Sequence, residues 1–130
     1  MTGTLTRFAP VMLSVLRIMA SLIFIAHGTQ KLFGFPATDQ MPAAFSLMWI
    51  GGVLECFGGI LLAIGLFTRP VAFILSGMMA VAYFMFHAPQ NFFPTLNGGD
   101  AAILYCFVFL YIFFAGPGPI SVDARRTPAT

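Results

Sequence analysis

The sequence predicts an all-α integral membrane protein, folded as a bundle of four transmembrane helices with both termini on the cytoplasmic side. Hydrophobic residues make up 59% of the 130 residues and charged residues only 8%, whereas a soluble domain carries roughly a quarter charged residues. The mean hydropathy is +0.94. Four apolar runs approach the roughly 20 helical residues that cross a bilayer. Membrane lipids are therefore the first expected partners.

Glycine, proline and polar residues separate the four runs, because such residues end helices or form turns. Gly34-Phe35-Pro36 follows the first run, Thr68-Arg69-Pro70 the second and Ala88-Pro89 the third. Asn97-Gly98-Gly99-Asp100 precedes the last run, which ends at Gly116-Pro117-Gly118-Pro119. A single membrane domain is expected over residues 1–123, followed by a disordered tail over 124–130. The predicted helices cover about residues 10–33, 45–67, 70–87 and 100–115.

The distribution of basic residues predicts the orientation of this bundle. Arg7, Arg69, Arg125 and Arg126 fall on one side of the four-helix arrangement, and Lys31 alone falls near the other side. Cytoplasmic segments of membrane proteins carry the excess of Lys and Arg, so both termini are predicted to be cytoplasmic. The net charge is only +2 and the basic residues form no patch. Nucleic-acid binding is therefore not expected.

Two charged residues, Arg17 and Glu55, fall within predicted membrane helices. An isolated charge at a helix centre costs about 2.5 to 3.5 kcal/mol, so such residues usually face a partner. Their similar predicted depths on antiparallel neighbours favour a buried Arg17–Glu55 ion pair. Two interpretations remain open. The pair is either a packing clamp, or a site where a buried acid exchanges protons or binds a polar head group.

A second polar cluster is predicted near the Lys31 side of the membrane. His27 and Lys31 are four residues apart on the first helix, and Tyr83 and His87 are four apart on the third, so each pair shares a helix face. Together they form a candidate ligand pocket, since His and Tyr are hydrogen-bond partners for a quinone. The alternative is interfacial anchoring. The two histidines have no metal-ligand spacing of their own, so no metal site is predicted.

Several motifs resemble those of the DoxX family. They are Leu16-Arg17, Gly28-x-x-Lys31-Leu32, Gly51-Gly52-x-x-Glu55-x-x-Gly58-Gly59, Gly65-Leu66-x-Thr68-Arg69 and the ending Gly116-Pro117-Gly118-Pro119-Ile120-Ser121-Val122-Asp123. The resemblance covers nearly the whole chain. It highlights, residue by residue, Arg17, Gly28, Lys31, Glu55, Gly58, Gly59, Arg69 and Asp123.

This resemblance implies a small four-helix protein of the bacterial inner membrane. The family name derives from a subunit linked to thiosulfate and quinone oxidation, and relatives are described as membrane partners of redox enzymes or as assembly factors. We therefore expect an accessory subunit of a quinone-linked redox system, an oxidoreductase subunit rather than an autonomous enzyme. No catalytic residue is assigned. No haem, flavin or iron–sulfur motif is visible, so electrons would come from a partner or from the bound molecule.

Two other classes of function compete with this expectation. A non-catalytic interaction or assembly protein would use its glycine-rich helix faces to dock other membrane chains or a second copy of itself. A small transporter would need polar residues along a full path across the membrane, and the sequence offers only two polar islands. The candidate partners are therefore a redox enzyme or a homo-oligomer, and the candidate cofactor is a quinone.

Overall fold

The computed structural model describes residues 2–126, which form helices and connecting loops with no β-strand among them. Within this range six helices follow one another, and α3 continues directly into a π-helical turn, Tyr83–His87. The helices are α1 Thr2–Phe33, α2 Leu47–Ile64, α3 Thr68–Ala82, α4 Pro94–Asn97, α5 Asp100–Ala115 and α6 Val122–Arg126.

In the described part of the chain, three helical segments are long and apolar enough to cross a membrane, namely Thr2–Phe33, Leu47–Ile64 and Thr68–His87. The fourth apolar helix, Asp100–Ala115, is shorter. At 1.5 Å per residue its 16 residues extend about 24 Å. The all-helical class is therefore confirmed, with three to four helices suited to a membrane.

Helix α1 is longer than predicted, because it begins at Thr2 and contains Pro10 rather than starting there. Its 32 residues extend about 48 Å, against about 30 Å for the hydrocarbon core of a bilayer. The side chains of residues 2–12 are all exposed. Buried positions begin at Ser14, where α1 meets the rest of the bundle. The first third of α1 thus extends beyond the packed helices.

The bundle consists of two closely packed helix pairs, α1 with α2 and α3 with α5, joined by contacts between α2 and α3. Glycines set the distance between α1 and α2. A Cβ added at Gly28 would lie 2.8 Å from the Cys56 backbone nitrogen, and one at Gly59 would lie 2.6 Å from Ile25. Small residues of this kind let membrane helices approach closely. The buried apolar core is formed by Phe24, Leu62, Ala72, Leu75, Met79, Ala102, Phe109 and Ile112.

The end of the chain differs from the disordered tail expected over residues 124–130. Residues 124–126 belong to α6, whose Asp123 N–H donates to the Gly65 carbonyl at 2.9 Å. The α2–α3 turn therefore holds the start of α6. The remaining residues of the expected tail, 127–130, lie outside the described part of the chain.

Candidate functional site

A cavity of about 560 Å³ lies between α1, α2, α3 and α5, at the end of the bundle that contains Lys31. We call this end the Lys31 end and the opposite one the Arg17 end. Apolar side chains form most of the cavity wall, including Met48, Met78, Met79 and Met85. The polar side chains that line it are His27, Lys31, Gln40, Glu55, His87, Gln90 and Tyr105.

A buried ion pair lies in the cavity wall, where Lys31 Nζ is 2.6 Å from Glu55 Oε1. The side chain of Glu55 is 4% exposed and that of Lys31 is 28% exposed. Gly52 brings the two helices together here, because a Cβ on it would lie 2.9 Å from the Lys31 Cβ. Glu55 follows Gly52 by three residues and therefore lies on the same face of α2. Close helix approach thus positions the ammonium on the carboxylate.

The second carboxylate oxygen, Glu55 Oε2, has no hydrogen-bond partner among residues 2–126, although it is buried. Buried polar atoms are usually satisfied, and each exception requires an explanation. A carboxylate can accept several hydrogen bonds, and the Lys31 contact uses only one of these positions. The cavity therefore contains an acceptor with spare capacity.

His27 and Tyr105 form an aromatic side of the cavity next to this ion pair. Their rings meet edge to face with centroids 6.0 Å apart, and Phe24 packs against Tyr105 at 5.1 Å. His27 was predicted from the sequence as a pocket residue, whereas Tyr105 was not. The signal available was weak, since Tyr105 is one of two tyrosines in the otherwise apolar helix α5. Its position four residues after Ala101, which also lines the cavity, places both on one helix face.

His87 and Tyr83 occupy different environments although both belong to the π-helical turn. His87 lines the cavity, and its Nδ1–H donates to the Asn97 carbonyl at 3.0 Å. In the neutral ring this bond leaves Nε2 as an acceptor. Tyr83 is outside the cavity lining, and its hydroxyl accepts from the Asn97 side-chain amide at 3.1 Å. Asn97, which sequence reasoning did not single out, therefore ties both residues to the segment before α5.

The predicted Arg17–Glu55 ion pair is wrong. Arg17 is fully buried at the other end of the bundle from the cavity, and within residues 2–126 its side chain donates only to backbone carbonyls. Its Nε bonds to Leu62 O at 2.7 Å. The guanidinium also reaches Ala63, Pro117 and Ile120. The depth of Arg17 was predicted by counting from Arg7 as the membrane boundary. In the structure α1 begins before Arg7, and it packs against α2 so that Arg17 lies beside Leu62 rather than Glu55.

At the Arg17 end, the motif residues Arg69 and Asp123 form hydrogen bonds with the ends of helices. Arg69 donates to the Phe114 carbonyl at 2.8 Å, at the last turn of α5, where a cation opposes the negative end of the helix dipole. Asp123 accepts from the backbone N–H groups of Phe67 and Thr68, at 3.0 and 2.8 Å, and so caps the start of α3. Gly58 lies against Leu75 of α3. These residues are structural ties rather than parts of the cavity.

Asp123 lies beyond the long apolar helices, and its environment favours the ionised form. Partial burial opposes ionisation, but the Thr68 and Phe67 N–H groups and the positive charge of Arg126 outweigh it. The pKa of Asp123 is therefore below its ordinary value of 3.8. The cap at α3 carries a negative charge at neutral pH.

The fold and the cavity together define a multi-pass helical membrane protein with ionisable groups inside an apolar bundle. A family model described as DoxX matches residues 12–88. The chain belongs to the DoxX family, which confirms the resemblance seen in its motifs. The matched segment contains the Lys31–Glu55 pair, His27, His87 and Arg17, whereas Tyr105 and Asp123 lie beyond it.

Three relatives align over most of the chain. An uncharacterized protein of Haemophilus influenzae is 42% identical over 129 residues, covering 95% of this chain and 96% of that protein. The inner membrane protein YphA of Escherichia coli is 31% identical, over 89% of this chain and 91% of YphA. The inner membrane protein YqjF of the same organism is 28% identical, over 84% and 87%. No solved structure matches the chain.

The family, the relatives and the apolar helices agree on the cellular location. Two of the relatives are inner membrane proteins by name, and at least three helices of this chain are suited to crossing a bilayer. The chain is therefore a multi-pass protein of the inner membrane.

Proposed function

We propose that this protein is an accessory subunit of a membrane redox system and binds a small amphipathic molecule of the quinone type in the cavity at the Lys31 end. The observation that carries the proposal is the buried Lys31–Glu55 ion pair in the wall of a 560 Å³ cavity. A buried ionisable group inside a membrane bundle is a functional-site hypothesis by default. The proposal assigns this pair to ligand binding.

The chemistry of the cavity suits a molecule with one polar end and one apolar end. Lys31 and Tyr105 can donate hydrogen bonds, Glu55 can accept them, and His27 and His87 can do either. Methionine side chains such as Met78 and Met85 supply a flexible apolar wall. Pockets of about 300 to 1,000 Å³ with a few convergent polar groups are typical of small-molecule sites. In this proposal the chain holds the molecule and a partner enzyme exchanges electrons with it.

We also propose that all four long helices cross the membrane, with both ends of the chain in the cytoplasm. The bonds of Arg17, Arg69 and Asp123 bring the start of the bundle, the α2–α3 turn and the end of α5 to one level. Arg125 and Arg126 lie just beyond this end of the bundle and Lys31 lies at the other, as the positive-inside rule requires. Helix α5 is short for a span, and a local thinning of the bilayer accommodates such a difference.

Native mass spectrometry with lipid extraction tests the proposed ligand. Wild-type protein and the Glu55→Gln variant would be purified gently from membranes, with Asp39→Asn as a control that removes an exposed carboxylate outside the cavity. We expect quinone-type molecules on the wild type and on Asp39→Asn, and their loss from a folded Glu55→Gln. Retention of the molecule by Glu55→Gln, or no small molecule on the wild type, would contradict the proposal.

An interaction or assembly factor is the second candidate, because residues 2–12 of α1 are exposed beyond the bundle. An exposed helix of this length presents Leu5, Phe8 and Met12, which are 69%, 50% and 58% exposed, to other chains. A second copy or a redox enzyme would cover this segment. Co-purifying partner chains without any bound small molecule would favour this function over ligand binding.

A further inference from the structure

We infer that the molecule bound in the cavity carries a hydroxyl group that donates a hydrogen bond to Glu55, as a phenol or a hydroquinone does. The inference rests on the proposed function and narrows its ligand class. A hydroquinone head group has hydroxyls where the oxidised quinone has only carbonyl oxygens. The cavity therefore prefers the reduced form.

The two carboxylate oxygens of Glu55 have different environments. Oε1 accepts from Lys31 Nζ at 2.6 Å, whereas Oε2 is buried and accepts from no group among residues 2–126. In the ion pair with Lys31, Glu55 is a carboxylate, which accepts hydrogen bonds and donates none. A buried acceptor without a donor is unfavourable, and a ligand that supplies a donor relieves this cost.

A quinone carbonyl and a hydroquinone hydroxyl differ in the hydrogen bonds that they can form at the same position in the cavity. A quinone carbonyl can accept from Lys31 or from the Tyr105 hydroxyl, but it leaves Oε2 without a donor. A hydroxyl group can accept from the same residues and donate to Oε2 as well. Sites that are built to hydrogen-bond a hydroxyl discriminate strongly against the analogue that lacks it, because their buried polar group is then left unpaired.

Access to Oε2 requires a small movement. Glu55 lines the cavity, but Oε2 itself is shielded from solvent. In the proposed complex, a rotation about the Cγ–Cδ bond of Glu55 would turn one carboxylate oxygen towards the ligand, while Lys31, which lines the same cavity, would bond the other oxygen.

Three ligands that share one ring and one alkyl tail test the inference. They are a benzoquinone with a short alkyl tail, its hydroquinone kept reduced with ascorbate, and the dimethyl ether of that hydroquinone, which lacks the hydroxyl donor. Their dissociation constants would be measured for the full chain in detergent. We expect the hydroquinone to bind at least about tenfold more tightly than the other two, as a hydrogen bond to a charged group implies. In Glu55→Gln this ratio should fall below about threefold, and in Asp39→Asn it should persist.

The outcomes separate this inference from the proposed function. If the wild type binds all three ligands equally, the inference of a hydroxyl donor is overturned, but the proposal of a quinone-type ligand is retained. Binding of none of them overturns the proposed function, and the inference with it. If a folded Glu55→Gln variant keeps the preference for the hydroquinone, the hydroxyl donates to an acceptor other than Glu55. This result also overturns the inference. The wild-type comparison needs no variant, so misfolding of Glu55→Gln does not suspend the test.

Discussion

Glu55 and Lys31 bring opposite charges together in the wall of the cavity. Each charge compensates the other inside the apolar bundle, and either one alone would be buried without a counter-charge. Arg17 is stabilised differently, because backbone carbonyls in the last turn of α2 and in the segment after α5 accept its hydrogen bonds. Leu62 O accepts from Arg17 in addition to the Gly65 N–H, and the negative end of the α2 dipole stabilises the charge of the guanidinium.

We expect Lys31→Met to lower the free energy of unfolding by about 2 to 3 kcal/mol, because it leaves Glu55 buried without its cation. This value lies below the usual cost of breaking a buried pair, since Lys31 is 28% exposed. The double variant Lys31→Met/Glu55→Met should recover most of the loss, because it removes both charges. Thermal unfolding in detergent checks both expectations. A double variant as unstable as Lys31→Met would show that the charge of Glu55 is not the cause.

Asp123 gives the molecule an acid-dependent contribution to stability. Its pKa is lowered on folding, so the contribution is fully present above the ordinary value of 3.8 and is lost as the pH falls from there through the folded-state pKa. We expect Asp123→Ala to cost roughly 1 kcal/mol at pH 7, as the loss of a helix cap does. The difference in melting temperature between the wild type and the variant should shrink at pH 3. A difference that is unchanged at pH 3 would argue against an ionised cap.

The number and approximate positions of the long helices could be predicted from the sequence. Which residues of neighbouring helices face each other could not. The predicted helix over residues 100–115 agrees with α5, Asp100–Ala115. The predicted boundary at Thr68-Arg69-Pro70 is displaced, because α2 already ends at Ile64, with Gly65 as its C-cap, and α3 begins at Thr68. The Arg17 prediction failed because depth was counted from Arg7 along one helix. Which residues of α1 and α2 face each other depends on glycine contacts, and these appear only once both helices are packed.

The residues that line the cavity were predicted only in part, because the direction in which a side chain faces also depends on the folded helices. His27, Lys31 and His87 do line the cavity. Tyr83 does not, because in a π-helical turn hydrogen bonds run five residues back rather than four, which changes the facing of residues four apart. Tyr105 was missed because α5 carries almost uniformly apolar residues, so neither period nor charge marks one face.

The approach of α1 to α2 yields a prediction at the element scale. We expect Gly28→Ala to destabilise the bundle by about 1 to 3 kcal/mol, because its Cβ would lie within 2.9 Å of Gly52 O and Cys56 N. Gly77→Ala on α3 is the matched control, since nothing lies within 4 Å of its Cβ. Helix propensity should stabilise that variant by up to about 1 kcal/mol. Equal effects of the two changes on unfolding would contradict the packing argument.

At the scale of the whole molecule, the two ends of the bundle differ in character. At the Arg17 end, the side chains of Arg17, Arg69 and Asp123 each form hydrogen bonds with backbone groups of other segments. The Lys31 end contains the cavity, and the π-helical turn of α3 lies beside it. π-Helical turns are frequent at functional sites. One end therefore stabilises the bundle while the other is suited to receiving a ligand.

The proposed membrane orientation is tested by labelling with a membrane-impermeant maleimide in spheroplasts. We expect Thr95→Cys, in α4, to react from outside, and Ala124→Cys, in α6, to react only after permeabilisation. Both positions are exposed. The parent chain controls for the native cysteines, of which Cys56 is buried and Cys106 half-buried. Labelling of Ala124→Cys in intact spheroplasts would contradict a cytoplasmic C-terminus.

The carbonyl partners of Arg17 have a consequence for biosynthesis. Two of them, Leu62 and Ala63, follow in the next helix, but Pro117 and Ile120 emerge from the ribosome about a hundred residues after Arg17. The guanidinium enters the membrane long before these acceptors exist. A nascent chain that stops short of residue 117 lacks two of the carbonyl acceptors of this charge, which is unfavourable inside a membrane. We therefore expect truncated chains to integrate α1 less stably than the full chain does.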